Sequence, residues 1–180
     1  MSELAEHRVL DLSGRAVRLG GEWEDRPAVV VWLRHFGCLL CREQAADLRA
    51  RIPEIEALGA RLVLVGSGEP WHAREFEAER CPGCRVLTDP ELGSYRAIGA
   101  RRGWRFVLNP AGLRASARAF RRGFRQSGVR GTADQLGGVL VLLPGDRIAY
   151  SRLSGSAGDH PPVDEVIAAL RAALAPGPVP

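Results

Sequence analysis

A short apolar run followed closely by two cysteines constrains the fold more than any other part of the chain. The run extends from Ala28 to Leu33 and is rich in β-branched residues, which predicts a buried strand. Cys38 and Cys41 follow it in Cys-x-x-Cys spacing, and residues 41–58 place apolar side chains at helical intervals. The sequence therefore predicts a strand, a turn that carries the cysteines, and an amphipathic helix.

The position of the cysteines, where a strand gives way to a helix, favours a reactive thiol. The first N–H groups of a helix have no partner inside the helix, and the helix dipole favours negative charge there. The thiolate is the reactive form of cysteine, and such sites lower a thiol pKa by about 1–5 units from ~8.5. Cys38 lies nearer the predicted helix start and solvent than Cys41. We therefore expect Cys38 to attack and Cys41 to resolve.

Length and composition indicate one domain with a substantial core. The chain has 180 residues, of which 46% are hydrophobic, and we expect residues 1–180 to form a single domain with 176–180 as a disordered tail. No apolar run approaches the ~20 residues of a membrane span. The first seven residues lack the basic and apolar regions of a signal peptide. We expect a cytoplasmic protein, a compartment in which a cysteine pair is more often catalytic or metal-binding than structural.

The remaining pattern alternates strands and helices. Further strands are predicted over 9–12, 16–19, 61–66, 85–88, 138–143 and 147–151, and helices over 70–80, 89–100 and 163–175. Residues 110–126 are expected to form a basic helix or an irregular lid, whose apolar face would consist of Leu113, Ala117, Phe120 and Phe124. This order predicts an α/β fold with a central mixed β-sheet flanked by helices.

Three segments together resemble a known family. They are Arg34-His35-Phe36-Gly37-Cys38-Leu39-Leu40-Cys41-Arg42-Glu43, Gln135-Leu136-Gly137-Gly138 and Gly158-Asp159-His160. The resemblance is to the peroxiredoxin-like type-2 group of the alkyl hydroperoxide reductase/thiol-specific antioxidant superfamily, and it covers about residues 8–175. It implies a thioredoxin-like fold with a peroxiredoxin-type N-terminal extension, and thiol-dependent reduction of a peroxide or disulfide. It further implies no bound cofactor and an external thiol reductant, such as thioredoxin, glutathione or an NADPH-linked system.

The resemblance leaves two assignments open for the attacking cysteine. In thioredoxins the first cysteine of the pair attacks, which corresponds to Cys38. In typical peroxiredoxins the attacking cysteine lies three residues after a Thr or Ser, which corresponds to Cys41. Gly137 stands where typical peroxiredoxins carry an arginine before the late strand. His35 stands where they carry a proline, three residues before the Thr or Ser position. These departures favour general thiol–disulfide exchange over fast peroxide reduction.

Four residues are candidates to support the cysteine pair. Arg34 and His35 precede it closely and are suited to stabilise a thiolate, with His35 also a candidate proton shuttle. Gln135 and Gly137 belong to the second segment of the resemblance. A glycine at 137 would let a substrate backbone or thiol approach closely, or would mark a β-bulge.

A second Cys-x-x-Cys pair, Cys81 and Cys84, raises the alternative of a zinc site. If both pairs flank parallel strands of one sheet, however, Cys38 follows the end of one strand and Cys84 precedes the start of another. The pairs are then about one strand length apart, ~17–20 Å, whereas a shared zinc needs every sulfur at ~2.3 Å. We therefore predict no metal. The second pair is an accessory dithiol, a second disulfide relay or only a turn.

The charge distribution is uneven although the net charge is only +4. Residues 92–133 contain no acidic residue, and the arginines in this segment are Arg96, Arg101, Arg102, Arg105, Arg114, Arg118, Arg121, Arg122, Arg125 and Arg130. The segment is either a solvated basic face or a landing site for an anionic thiol, a cofactor or an acidic partner. A charge this small does not argue for nucleic acid. We expect no nucleic-acid or membrane partner, and a monomer or homodimer that acts as an oxidoreductase or as a non-catalytic redox-sensing module.

Overall fold

A mixed seven-stranded sheet forms the centre of the protein. The computed structural model describes residues 2–175, and its strands run in the spatial order β2-β1-β5-β4-β3-β6-β7. The strands are β1 Arg8–Leu10, β2 Ala16–Arg18, β3 Ala28–Trp32, β4 Arg61–Gly66, β5 Arg85–Thr88, β6 Gly138–Leu143 and β7 Arg147–Leu153. The sequence prediction of a central mixed sheet is confirmed.

Strand β3 lies in the interior of the sheet and is buried along its whole length. It runs parallel to β4, with Trp32 opposite Val65, and antiparallel to β6, with Val30 opposite Leu140. Strand β5 continues the parallel part on the far side of β4. A strand covered on both faces reads as an unbroken apolar run, which is why the segment was recognisable from sequence.

Helices cover both faces of the sheet. They are α1 Ser2–Glu6, α2 Leu39–Arg49, α3 Ile52–Ala57, α4 Pro70–Arg80, α5 Gly93–Ala97, α6 Trp104–Val107, α7 Pro110–Arg121 and α8 Val163–Leu174. Helices α2, α3, α4, α7 and α8 contribute to the larger apolar core, and α1 and α5 to the smaller one. Within residues 2–175, no helix is long and apolar enough to cross a membrane.

Two predicted helices were wrong in extent. The helix expected over 41–58 begins at Leu39 and is divided into α2 and α3 by a break at Ala50 and Arg51, with Pro53 in the first turn of α3. Proline is tolerated in a first turn but not in a helix interior, so a continuous helix could not pass through it. The helix expected over 89–100 is reduced to α5.

The apolar face predicted for α7 was also wrong. The helix ends at Arg121 rather than at 126, Leu113 is 73% exposed and Phe120 is 58% exposed. The helix buries Gly112, Ala115 and Ala119 instead. Small residues let the backbone of α7 approach its neighbours closely, and this left the larger side chains outside. The tail predicted to be disordered, 176–180, lies outside the described residues.

Candidate active site

Cys38 and Cys41 lie at the start of α2, beyond the carboxyl end of β3. Cys38 is the N-cap residue, with extended backbone angles of φ −72° and ψ 125°, and Cys41 lies in the first turn. Both are thiols. The strand–turn–helix arrangement expected from sequence therefore places both sulfurs where unpaired N–H groups and the positive end of the helix dipole favour a thiolate.

The expectation that Cys38 is the more exposed cysteine was wrong. Cys38 is 1% exposed and Cys41 is 4% exposed. Position at a helix start brings a side chain toward the surface of its own helix, but here other parts of the chain fold over that surface. Both sulfurs are therefore shielded from solvent.

Arg34 contacts both sulfurs. Its backbone N–H donates to Sγ of Cys41 at 3.2 Å, and Nη1 of its side chain donates to Sγ of Cys38 at 3.4 Å. The rest of the guanidinium is held by backbone carbonyls, with Nη2 donating to Ala133 at 2.6 Å and Nε to Gln135 at 3.3 Å. These contacts fix a positive charge beside the cysteine pair.

The surroundings differentiate the two thiols. A hydrogen bond from the Cys41 thiol lowers the pKa of Cys38 to about 6, assisted by the Arg34 charge and the N–H groups of Leu40 and Cys41, although burial opposes it. Burial raises the pKa of Cys41 well above its ordinary value, and the neighbouring Cys38 sulfur raises it further. These opposite shifts favour a thiolate at Cys38 that accepts a hydrogen bond from a Cys41 thiol.

His35 is neutral and buried. Its side chain is 2% exposed, and Nδ1 accepts a hydrogen bond from the Arg130 N–H at 3.4 Å. Burial lowers the pKa of His35 to about 4, and the nearby charges of Arg34 and Arg42 act in the same direction. A proton shuttle works best with a pKa near the working pH, so this geometry suits His35 to holding the segment around Arg130 rather than to moving protons.

Gln135 contacts Arg34, and Gly137 lies against the end of β3. The Gln135 carbonyl accepts from Arg34, and its buried side chain donates to the carbonyls of Arg101 and Leu136. A Cβ on Gly137 would lie 1.7 Å from the Trp32 carbonyl oxygen. The end of β3 therefore occupies the space beside this glycine. The sequence suggested instead that a substrate would approach Gly137 or that it would mark a β-bulge.

The site also contains a covering segment, residues 122–131, whose contacts sequence reasoning missed. The N–H of Ser127 donates to the Gly37 carbonyl at 3.1 Å, and Gln126 Oε1 accepts from the Leu39 N–H at 3.2 Å. A Cβ on Gly37 would lie 2.1 Å from the Gly128 carbonyl oxygen. The segment is irregular and follows α7. The glycines of this segment were the signal in the sequence, because glycine is typical of backbone that leaves a helix. In the structure, Gly123 and Gly128 both adopt positive φ.

The first turn of α2 attaches to this covering segment and to α7 through charged side chains. Arg42 is buried and donates to the Arg125 carbonyl at 3.2 Å and to the Ser127 hydroxyl. Glu43 is 1% exposed and accepts from Arg118 at 3.0 Å and Arg122 at 2.7 Å. Part of the basic segment predicted from sequence is therefore ion-paired with a buried carboxylate of the same chain, and its landing-site role stays a prediction.

Tyr95 anchors the end of β3 behind the site, and sequence gave no signal for it. Its hydroxyl is buried and shares its one proton between the Leu33 carbonyl at 2.5 Å and the Val65 carbonyl at 3.1 Å. Ser67 Oγ donates to the Arg34 carbonyl at 2.6 Å. These bonds hold the turn between β3 and α2, and with it Arg34, against the end of β4.

The second cysteine pair lies at the opposite end of the parallel strands. Cys81 ends α4, Cys84 immediately precedes β5, and the two form a disulfide with a Cα–Cα distance of 5.4 Å. Cys38 follows β3, which runs in the same direction as β4 and β5. In the described part of the chain, no three His, Cys, Asp or Glu side chains are grouped so that they could hold a metal ion.

The fold and the cysteine pair define a peroxiredoxin-like oxidoreductase class built on a thioredoxin-like sheet. The chain belongs to the family described as AhpC/TSA antioxidant enzyme, whose model matches residues 47–154. That range begins after Cys41, so the match rests on the sequence that follows the cysteine pair and does not include the pair. The family predicted from sequence is confirmed.

Curated relatives cover most of the chain. The chain is 37% identical to thioredoxin-like protein AAED1, chloroplastic, of Arabidopsis thaliana, across 90% of this chain and 69% of that protein. It is 30% identical to peroxiredoxin-like 2C of Bos taurus, across 91% and 76%. It is 30% identical to prostamide/prostaglandin F synthase of Salmo salar, across 88% and 82%. One relative is named as chloroplastic, so the cytoplasmic location of this chain stays a prediction.

Solved peroxiredoxins share the fold. Peroxidoxin BcpB from Mycobacterium tuberculosis matches with a TM-score of 0.68 at 17% identity, covering 92% of each chain. Peroxiredoxin Q of Xanthomonas campestris, in its structure F4, matches with a TM-score of 0.70 at 16% identity, covering 97% of this chain and 95% of the other. At these identities the likeness establishes the thioredoxin-like fold and no more.

Proposed function

We propose that this protein is a thiol-dependent oxidoreductase that reduces a peroxide or a disulfide, with Cys38 attacking and Cys41 resolving. The observation that carries the proposal is the position of Arg34, which donates to both sulfurs from one fixed side chain and backbone. A fixed cation beside Cys38 stabilises the thiolate, and it continues to stabilise negative charge as the sulfur exchanges partners.

With a peroxide, the Cys38 thiolate attacks one oxygen of the O–O bond. The S–O bond forms as the O–O bond breaks, Cys38 becomes a sulfenic acid, and the other oxygen leaves as an alcohol or water after taking a proton. The Cys41 thiol then attacks the sulfenic sulfur, which forms the Cys38–Cys41 disulfide and releases water. With a disulfide substrate, Cys38 first forms a mixed disulfide, which Cys41 resolves.

An external dithiol returns the pair to its starting state. One thiolate of the reductant attacks the Cys38–Cys41 disulfide, and its second thiol resolves the mixed disulfide, so the reductant leaves oxidised. The difference in pKa between the two thiols favours Cys38 as the attacking sulfur. The pKa of Cys38 is lowered to about 6, which favours its thiolate, whereas the pKa of Cys41 is raised, which keeps Cys41 a thiol before the resolving step.

Access to Cys38 is part of the mechanism. Because Cys38 is 1% exposed, part of the surrounding chain must move before a substrate reaches its sulfur. We propose the covering segment as that part, because it bonds to Gly37 and Leu39 on either side of Cys38. A small cavity of about 20 Å³ beside Cys41, with Arg34, Gly137 and His160 in its wall, offers room for about one water molecule but not for an organic substrate.

The test is turnover by paired variants. Cys38→Ser is expected to abolish consumption of hydrogen peroxide or of a small disulfide. Cys41→Ser is expected to retain one half-reaction, leaving a Cys38 sulfenic acid that dimedone traps after a single addition of peroxide. The Cys81→Ser/Cys84→Ser double variant is the matched control and should keep turnover. A dimedone adduct on Cys41 of the Cys38→Ser variant, with none on Cys38 of the Cys41→Ser variant, would reverse the two roles.

A redox-sensing module is the second candidate, favoured by the burial of both thiols. The two functions predict different kinetics. An oxidoreductase supplied with excess reductant consumes many equivalents of substrate, whereas a sensor reacts once and stays oxidised until its partner engages. Wild-type protein that consumes only one equivalent of peroxide or disulfide would identify the sensor.

A further inference from the structure

The outside of α6 and α7 combines protruding apolar side chains with arginines that no carboxylate pairs with. We propose that this surface docks the protein on a bilayer of anionic lipids. The α6–α7 surface consists of the apolar residues Trp104, Leu108, Leu113 and Phe120 and the arginines Arg101, Arg105, Arg114, Arg121 and Arg125. The sequence predicted no membrane partner, but net charge and the length of apolar runs do not report which side chains reach the surface.

Exposed apolar side chains are concentrated on this surface. Trp104 is 55% exposed, Leu108 74%, Leu113 73% and Phe120 58%. In the described part of the chain, the other exposed large apolar side chains are Trp71, Val129, Ile148 and Leu174. Residues 104–120 thus hold half of them. Because each of these four is more than half exposed, they protrude into solvent and do not line a groove.

The orientation of α7 keeps two of these side chains outside. Arg118 and Arg122 pair with Glu43 of α2, which fixes one side of the helix against its neighbour. At about 100° per residue, Leu113 and Phe120 lie roughly 140–180° around the helix from those arginines. They therefore face away from α2, in agreement with their exposure.

Helix α6 continues the surface at the start of α7. The Leu108 N–H donates to the Trp104 carbonyl at 2.7 Å, so these two residues lie one helical turn apart. Asn109 follows directly and is the N-cap of α7. A Cβ on Gly112 would lie 2.8 Å from the Val107 carbonyl oxygen, which shows that the end of α6 packs against the first turn of α7.

The positive charge of this surface is not neutralised by the protein itself. Residues 92–133 contain no acidic residue. The arginines of this segment that pair with carboxylates from elsewhere in residues 2–175 are Arg102, Arg118, Arg122 and Arg130. The five arginines of the α6–α7 surface are not among them. The Arg125 guanidinium lies over the Phe120 ring instead, 3.9 Å from its centroid, so charge and apolar area adjoin.

An open cleft beside Arg114 and Arg121 has room for a lipid headgroup. Its volume is about 470 Å³, and residues 156–159 also belong to its wall. The carboxylate in that wall, Asp159, pairs with Arg152 at 3.2 Å. Arg114 and Arg121 therefore leave the cleft with an excess of positive charge, and guanidinium groups bind phosphate oxygens with paired hydrogen bonds.

A bilayer accounts for the apolar and the charged side chains together. Helices that carry arginine beside Trp, Phe and Leu lie in the plane of a bilayer, with the apolar side chains among the lipids and the arginines at the phosphates. Tryptophan favours the headgroup level. An acidic protein would need a fitted pocket for each protruding side chain, whereas lipids rearrange around them.

Co-sedimentation of the full chain with vesicles tests the proposal. Vesicles of equal parts phosphatidylglycerol and phosphatidylcholine are compared with vesicles of phosphatidylcholine alone. We expect partition into the anionic vesicles to be at least about tenfold stronger and to weaken in high salt.

Tryptophan fluorescence reports whether the surface enters the lipid. In a Trp71→Phe background, Trp104 is the remaining exposed tryptophan, because Trp23 and Trp32 are each 1% exposed. Its emission should shift to shorter wavelength on anionic vesicles, and lipids with brominated chains should quench it. An emission spectrum that the vesicles leave unchanged would contradict insertion at this surface.

The first pair of variants tests the charge. Arg114→Gln/Arg121→Gln should weaken partition into anionic vesicles about tenfold or more. The control, Arg8→Gln/Arg147→Gln, removes two exposed arginines on β1 and β7 and the same net charge. It should weaken partition by less than about threefold, because those arginines do not face the bilayer.

The second pair of variants tests the apolar contact. Leu113→Ser/Phe120→Ser should weaken partition about tenfold. The control, Ile148→Ser/Leu174→Ser, removes two exposed apolar side chains elsewhere and should leave partition unchanged. Circular dichroism records that each variant stays folded.

The proposal is overturned if neutral and anionic vesicles bind the protein equally, or if either variant binds as its control does. Salt-sensitive binding to polyglutamate without binding to anionic vesicles would assign the surface to an acidic protein, and this also overturns it. None of these results bears on turnover at Cys38, which is measured without vesicles.

Discussion

Nη1 of Arg34 lies 3.4 Å from Sγ of Cys38, at the N-terminal end of α2. The same residue donates its backbone N–H to Sγ of Cys41. A change in the protonation or bonding of either sulfur therefore alters the hydrogen bonds of Arg34. Because the carbonyls of Ala133 and Gln135 hold that arginine in place, its charge is already positioned beside Cys38.

Removing the charge of Arg34 should raise the pKa of Cys38. Arg34→Met keeps an unbranched side chain without the cation and is expected to raise that pKa from about 6 by roughly 1–2 units. Arg34→Lys should restore part of the effect. The measurement is the pH dependence of iodoacetamide alkylation at Cys38, with Arg147→Met as a control. An alkylation midpoint that stays near pH 6 in Arg34→Met would contradict this account of the thiolate.

His35 should make the fold less stable in mild acid. Its folded-state pKa is about 4 because it is buried, against about 6.5 in an unfolded chain. The unfolded state therefore binds more protons between these values, and stability is lost as the pH falls from about 6.5 toward 4, by up to about 3 kcal/mol.

The matched variant for this pH effect is His35→Asn. Its side-chain oxygen can take over the hydrogen bond that Nδ1 accepts from the Arg130 N–H. Urea unfolding at a series of pH values should show a flatter dependence in the variant than in the wild type. Equal slopes across this window would mean that His35 does not titrate as described.

Glu43→Gln should destabilise the protein at neutral pH. Burial raises the pKa of Glu43, but hydrogen bonds from Arg118 and Arg122 outweigh it and hold the pKa below its ordinary value. Loss of this buried charge should cost roughly 1–3 kcal/mol of unfolding free energy. Because the folded pKa is lowered, the stabilisation is present above the unfolded pKa and is lost as the pH falls through the folded one.

Denaturant unfolding at neutral and acidic pH checks the role of Glu43. The difference between the wild type and Glu43→Gln should shrink in acid, where the wild-type carboxylate is protonated. Glu56→Gln is the control, because Glu56 is exposed and should change stability by less than about 0.5 kcal/mol. Equal effects of the two variants at neutral pH would show that the Glu43 pairs contribute nothing special.

Gly137→Ala should strain the contact between β6 and the end of β3. The added Cβ would lie 1.7 Å from the Trp32 carbonyl oxygen, so backbone must move. We expect a loss of roughly 1–3 kcal/mol or more in unfolding free energy. Gly21→Ala is a matched control, since its Cβ would meet nothing within 4 Å. A fully stable Gly137→Ala variant would indicate that this edge of the sheet is not closely packed.

The central strands were predictable because each is buried on both faces. The ranges 61–66, 85–88 and 138–143 match β4, β5 and β6 residue for residue, since covered strands consist of continuous apolar residues between turn signals. Helix 70–80 also matches α4. The short helices α1 and α6 were not predicted, because elements of one turn carry too few residues to show a period.

The burial of α7 was not predictable from its own residues. Leu113 and Phe120 are spaced for an apolar face, yet Ala115 and Ala119 are the buried positions. Periodicity reports which side chains share a face, but the neighbouring element decides which face is covered. Helix α2 packs against α7, and Ala115 and Ala119 belong to the same apolar core cluster as Leu40 of α2.

The sequence by itself determined the strand, the cysteine pair and the helix that follows, because local backbone preferences and apolar spacing act over a few residues. It also determined the family, through segments whose residues can be read in order. Only the tertiary structure decided that Arg34 touches both sulfurs and that both are buried. Those contacts join residue 34 to 133–135 and residue 37 to 127, and they exist because the chain leaves β3 and returns as β6 beside it. Such distant pairs carry no local signal, since the packing of the whole sheet creates them.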